Sequence, residues 1–331
     1  MKVQAFIKTV SLIATFALTQ SCIHDHPFGE GENPSRLNPE LEIAFDLHWS
    51  QILHQVDLEM AGTKAGEEKR HKFIIETSKN GSVHSRDDVY LSDEEFSMGI
   101  LHHRFSKAFT SENYDLAVWY EKTIPGIENP FFDTQSLGEV KLLTTTTTHL
   151  DSIQCGHASE SLDLRVYSNS RASEEIVKQV ELAHSGAKFQ IVATDIKDFI
   201  EENRAYLLQG DKFFVNLLIS EDRHSSLNLY NNRVITNIGK LERKGPLWLP
   251  FADYTELKIA DGFIFTDSEE TITMILTITN STGLTVSQTE PFSFPVKRGI
   301  ITTVRGDFLS FPINGFLTVD PVWDGEIELE I

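Results

Sequence analysis

One stretch constrains the fold of this chain more than any other. Ile272, Met274, Leu276 and Ile278 alternate with Thr271, Thr273, Ile275, Thr277 and Thr279. A period of two puts one apolar face against a core, and β-branched residues favour extended backbone. Asn280-Ser281-Thr282-Gly283 follows as a hairpin turn signal, and Leu284 and Val286 return on a partner strand. Similar alternation recurs at residues 41–47, 114–120, 189–193, 213–219 and 292–296. Phe73-Ile74-Ile75 starts another strand after a charged loop over 62–72, and Asn80-Gly81 marks a tight turn. Residues 96–105 and 140–148 also read as strands, the latter through five consecutive threonines, Thr144 to Thr148. His184-Ser185-Gly186 reads as a turn, and residues 198–203 as a short helix. Pro291 and Pro295 limit their strand to a sheet edge or a short piece, because proline cannot donate to a ladder.

Many short strands with little helical periodicity argue for an all-β protein built of sandwiches. With 331 residues there is room for two. The turn-rich stretch around Asn169 to Ser173 divides them into an N-terminal sandwich domain, 40–172, and a C-terminal one, 173–331.

The first residues have a different purpose. Met1-Lys2 and a mostly apolar run from Val3 to Leu18 describe an export signal, too short and too interrupted for a spanning helix. Cys22 directly after the small Ser21 resembles a lipoprotein cleavage site, so residues 1–21 read as a lipoprotein signal peptide and Cys22 as the lipidation site. The alternative is an ordinary secretory signal with an incidental Cys. Residues 22–39, with Pro27, Gly29, Gly31, Pro34 and Pro39, form a flexible tether. His24 and His26 on that tether lack a third ligand nearby and read as solvated polar residues.

Charge narrows the partners. There are 49 acidic and 29 basic residues, for a net charge of -20. Such a surface repels nucleic acid and anionic headgroups, so membrane attachment falls to acyl chains on Cys22. With Cys22 acylated, Cys155 is left as a lone thiol, a residue that usually packs as a small hydrophobe.

No established catalytic, nucleotide or metal motif is present, and no cofactor is expected. One cluster remains to weigh: His149, Asp151, Cys155 and His157. Its types suit a cysteine nucleophile or zinc, but nearness in sequence alone is weak, and a loop or strand end explains it better. Asp151-Ser152-Ile153 resembles an O-glycosylation triplet with Ser152 as acceptor. Asn280-Ser281-Thr282 reads as a turn before it reads as a glycosylation site. Trp49 and Trp119 sit with patterned strands and read as packing, whereas Trp248 and Trp323 lie in loops. At the end, Ile327, Leu329 and Ile331 oppose Glu326, Glu328 and Glu330, a candidate assembly strand.

Several stretches together resemble the fimbrillin-type fimbrial subunit and anchor lipoproteins of Bacteroidetes. They are Tyr114-Asp115-Leu116-Ala117-Val118-Trp119, residues 180–195, and Asp261-Gly262-Phe263-Ile264-Phe265. The most specific is residues 295–309, with Lys297-Arg298-Gly299 and Arg305-Gly306-Asp307, and Asp320-Pro321-Val322-Trp323 follows it. His184-Ser185-Gly186-Ala187 departs from the family, where an Arg and often a Pro stand. The resemblance implies two tandem transthyretin-like (Greek-key) β-sandwiches and a lipid anchor in the outer membrane, with the body exposed at the surface. It also implies a role as pilus anchor, accessory or tip subunit, with other fimbrial subunits and host or bacterial surface ligands as partners. The expectation is thus a structural and adhesive protein, not an enzyme. A glycan-binding surface lipoprotein is the alternative, and a hydrolase using Cys155 comes third.

Overall fold

The computed structural model describes residues 41–49, 70–123, 131–143, 153–167, 175–219, 223–237, 241–249, 254–267, 269–310, 318–320 and 326–330. The first half contains β1 (Ile43–His48), β2 (His71–Lys79), β3 (Ser82–Leu91), α1 (Asp93–Ser97), β4 (Ile100–Arg104) and β5 (Asn113–Lys122). It continues with β6 (Phe132–Asp133), β7 (Val140–Leu142), β8 (Cys155–Asp163), β9 (Ile176–Glu181) and β10 (Ala183–His184). The second half opens with β11 (Gly186–Ala193), α2 (Ile196–Glu202), α3 (Arg204–Leu208), β12 (Phe213–Ile219), β13 (Arg223–Asn228) and β14 (Arg233–Asn237). Then come β15 (Leu241–Leu247), β16 (Leu257–Phe265), β17 (Glu269–Asn280), β18 (Thr285–Gln288), β19 (Phe292–Lys297), β20 (Ile301–Gly306), β21 (Thr318–Asp320) and β22 (Glu326–Glu330).

Two sandwiches result. In the first, the sheets β4-β1-β9 and β10-β8-β5-β2-β3 share a core that includes Phe45, Trp49, Phe73, Val118 and Tyr120. In the second, β16-β11-β20-β22-β21 and β15-β12-β17-β18, with β19 also on β17, share Phe189, Leu217, Leu276, Phe294 and Val304. Both close in the same way: the opening strand lies parallel to a late one, β1 to β9 and β11 to β20. Burying one such Leu, Ile or Phe contributes about 1.5–3 kcal/mol, which is why the alternation decides the architecture.

The local chemistry agrees with the strand pattern at several points. Asn80 and Gly81 take φ of 51° and 76°, the left-handed pair that a two-residue hairpin needs. Pro295 lies in β19, which pairs on one side only, with β17. Asn280 Oδ1 accepts from Thr282 N, Thr282 Oγ1 and Leu284 N at 2.7–3.1 Å, so the triplet is a turn whose amide is already engaged.

Three expectations are corrected. Phe96 belongs to α1, not to a strand; Ser92 and Glu95 form a reciprocal capping box that starts the helix. His71 and Lys72 are not loop residues but the buried start of β2. His184-Ser185-Gly186 is extended backbone that crosses from β10 to β11, not a turn.

Pairing also shows where residues 176–184 reside. β9 lies beside β1, and β10 beside β8, so both strands complete sheets of the first sandwich. Ser185 alone then separates the last strand of that sandwich from the first strand of the next.

Candidate functional site

The seam between the sandwiches is where residues distant in sequence converge. The sheet face of β2, β5 and β8 that points away from the first core is buried as well. Ile74, Ala117, Trp119 and Cys155 on it pack with Phe132, Leu227, Leu229, Phe263 and Phe265. Trp119 meets Phe132 edge-on, with ring centroids 4.9 Å apart. A third apolar core thus joins the halves, and Trp49 and Trp119 are packing residues.

A hairpin made by β13 and β14 spans this seam. β13 pairs with β7, giving the antiparallel sheet β14-β13-β7-β6 with strands from both halves. Leu229 N donates to Leu137 O at 3.0 Å. At the hairpin tip, Tyr230 donates its hydroxyl to Glu76 Oε1, while Arg86 holds Glu76 Oε2 at 2.8 Å. Asn232, at φ 49°, presents its amide oxygen to two donors. These are His157 Nε2 at 2.8 Å and Arg298 Nη1 at 2.9 Å. Arg298 Nε also donates to Thr266 O at 2.7 Å, and Asp267 Oδ1 is 3.6 Å from Nη2.

His157 is neutral here, since burial lowers its pKa to about 4. An amide oxygen only accepts, so Nε2 carries the proton and Nδ1 accepts from Ser185 Oγ at 3.2 Å. Cys155 lies two residues away on the same strand, and burial pushes its thiol up to about 12. Thiol and imidazole are both neutral, the reverse of the thiolate–imidazolium pair that a nucleophilic cysteine uses. A cavity of about 20 Å³, lined by Cys155, His184, Lys188, Phe263 and Gly299 among others, has room for about one water. His149 and Asp151 lie outside the described residues, so the sequence cluster is seen only as Cys155 and His157. Among the described residues, no group of three His, Cys, Asp or Glu side chains could hold a metal ion.

The remaining sequence candidates distribute as follows. Cys22, Ser152, Trp323 and Ile331 lie outside the described residues. β22 runs parallel to β20 and antiparallel to β21, within the second sandwich's own sheet; the side chains of Ile327 and Leu329 lie outside the described part. Trp248 is 72% exposed. It follows Leu247, which pairs with Phe213, and Phe213 pairs on its other side with Asn280. That register puts Trp248 at the same end of the sandwich as the turn carrying exposed Leu284. Leu41, where the described chain begins, bridges Phe109 at the opposite end of the first sandwich. Among the described residues no helix is long and apolar enough to cross a membrane.

Tyr230, Asn232 and the seam role of Arg298 are not marked by any motif in the sequence. Tyr230-Asn231-Asn232 carries an Asn-rich turn signal, but which sheet the turn meets is a tertiary fact.

The arrangement defines an all-β protein of two sandwiches held by a polar and apolar seam. The model of a family described as being of unknown function (DUF6562) matches residues 35–331, and the chain belongs to that family. No curated protein matches the chain. Among solved structures it is similar to a candidate adhesin from Bacteroides ovatus, at 10% identity, with 77% of this chain and 76% of that one covered and a TM-score of 0.40. The fimbrial anchor protein Mfa2 from Porphyromonas gingivalis is similar at 12% identity, with 75% and 81% covered and a TM-score of 0.39. A fimbrial assembly protein from Parabacteroides distasonis is similar at 11% identity, with 80% and 90% covered and a TM-score of 0.32.

Proposed function

We propose that this chain is a lipid-anchored, surface-exposed fimbrial protein of the anchor or accessory type, structural and adhesive. The role is of the kind held by the Porphyromonas gingivalis fimbrial anchor protein and the Parabacteroides distasonis fimbrial assembly protein. The observation that carries the reading is the polarity of the molecule. An export signal ending at Ser21-Cys22 and a Pro- and Gly-rich tether precede a body entered at Leu41, at the outer end of the first sandwich. The exposed Trp248 and Leu284 lie at the outer end of the second. A body entered at one end, with the exposed Trp248 and Leu284 at the far end of the other sandwich, suits a protein that holds a partner away from a membrane. The neutral Cys155–His157 pair supports a role without catalysis. On this reading residues 40–172 and 173–331 are the two domains by sequence, with 176–184 returning to the first.

The test begins with Cys22→Ala, which is expected to leave the membrane fraction and to take up no labelled fatty acid. The wild-type lipoprotein, pulled from outer membranes, is expected to bring other fimbrial subunits with it. If wild type incorporates no fatty acid, the anchor is wrong; if no fimbrial protein co-purifies, the fimbrial role is wrong.

Exposure of Trp248 favours a second reading, a glycan-binding surface lipoprotein, because an open indole face stacks on sugar rings. Sugar binding that disappears in Trp248→Ala would establish it over the first.

A further inference from the structure

We propose that the 223–237 hairpin is a clasp that locks the two sandwiches into one rigid body, with the Asn232 amide oxygen as its closing contact. The inference concerns the body itself and does not depend on the fimbrial role. The covalent route between the sandwiches is a single residue, Ser185, between β10 and β11. The dihedrals of such a connector are soft, so the connector alone leaves the second sandwich a direction in which to swing.

The clasp closes that direction from the other side of the seam. It follows β12 of the second sandwich in the chain and lays β13 along β7 of the first half, so backbone ladder bonds cross the seam. Leu227 and Leu229, both fully buried, seat it on the Trp119 face. Its tip then bonds the β8-β5-β2 sheet at three points: Tyr230 hydroxyl with Glu76 on β2, Tyr230 O with the Ser159 hydroxyl on β8 at 3.4 Å, and Asn232 with His157 on β8. Arg298, from the turn between β19 and β20, reaches the same Asn232 oxygen. One acceptor with two lone pairs therefore binds a donor from each sandwich.

His157 ties this contact to the pivot. Its Nε2 faces the clasp and its Nδ1 faces the Ser185 hydroxyl, so one buried imidazole touches both routes across the seam. A left-handed residue at 232 suits Asn, which tolerates φ near +50° where most side chains do not. Tension applied between the outer ends would then pass through the ladder and this network, not through a swinging connector.

Spin labels at Val83→Cys and Leu284→Cys, exposed positions on the two sandwiches, test this in the full chain carrying Cys22→Ala and Cys155→Ser. Pulsed dipolar spectroscopy is expected to give one narrow distance distribution. Tyr230→Phe with Asn232→Gly is expected to at least double its width while circular dichroism keeps the strand signal. Asn232→Asp, which retains the acceptor, is expected to keep the narrow width. A broad distribution in the parent, an unchanged width in the double variant, or an equally broad one in Asn232→Asp overturns the proposal. Should the double variant lose its strand signal, Asn232→Gly alone carries the same comparison, with the same outcomes.

Discussion

Glu121 on β5 stands directly opposite Lys72 on β2, and neither of its buried carboxylate oxygens receives a hydrogen bond of good geometry. Burial raises its pKa to about 7, against a smaller pull from Lys72 and the Trp119 indole. In the unfolded chain the same group ionises near 4.5. The folded state therefore holds a proton that the unfolded state gives up. Its cost to stability appears as pH rises through 4.5 and is complete above 7, roughly 3 kcal/mol at full extent. Glu121→Gln is expected to be more stable than wild type at pH 8 and equal to it at pH 4. Urea unfolding at both values checks this; a difference independent of pH counts against it.

Two histidines act in the opposite sense. His71 and His157 are each lowered to about 4, chiefly by burial. His71 is stacked on Phe96 with centroids 3.8 Å apart and bonded to Tyr120 and Asp93. As pH falls below 6.5 the unfolded chain takes up these protons first. The stability they confer is complete above 6.5 and is lost as pH falls towards 4. In Glu121→Gln, where the opposing carboxyl is absent, the urea midpoint is expected to drop over this window, and adding His157→Gln is expected to make the slope shallower. A slope unchanged by the substitution would show that His157 titrates normally.

Gly262 is paired with Phe189, whose ring covers it; a Cβ there would sit 2.1 Å from a ring carbon. Gly262→Ala is expected to cost about 3 kcal/mol or more, because the ring is packed in the second core and has to leave its place. Gly81 makes a useful contrast: a Cβ there meets nothing within 4 Å, but φ is +76°. Gly81→Ala is expected to cost only about 1 kcal/mol, from backbone strain. Thermal unfolding of the two variants ranks these effects, and the reverse order would refute the packing argument.

Deletion of residues 326–331 removes β22 from between β20 and β21. The expected product is a destabilised monomer, since β20 loses a parallel partner along Ile301 to Arg305. A stable monomer that no longer joins fimbrial partners would identify the strand as a donor in assembly. A stable, fully assembling truncation would exclude both uses.

Much of the architecture was legible because alternation records burial directly. The Ile272 strand, the Asn80-Gly81 turn and the edge position of Pro295 follow from side-chain period, φ and a missing donor. The helix at Asp93 was also written in the sequence, as Ser92 and Glu95, but Phe96 between strands drew attention to extended structure. What lay beyond reach was long-range pairing. Trp119 read as packing, but nothing local said that its partners are Phe132 from β6 and Phe265 from the second sandwich. No local pattern announces that a hairpin around Tyr230 will land on Glu76, or that β9 will return to β1. For the same reason the lone Cys155 could be judged only by analogy until its neutral thiol and its neighbour His157 were placed.

The parallel pairing of β1 with β9 has a consequence for the order of events during biogenesis. A strand near the start of the body waits for a partner encoded far along the chain, and only then is its second edge covered. Contacts of such high sequence separation are slow to form. While the chain folds, the early sheet would thus present an open flank with the apolar Ile43, Phe45 and Leu47 beside it, the kind of surface that recruits stray strands. The period between emergence of β1 and arrival of β9 is when this protein most needs a chaperone.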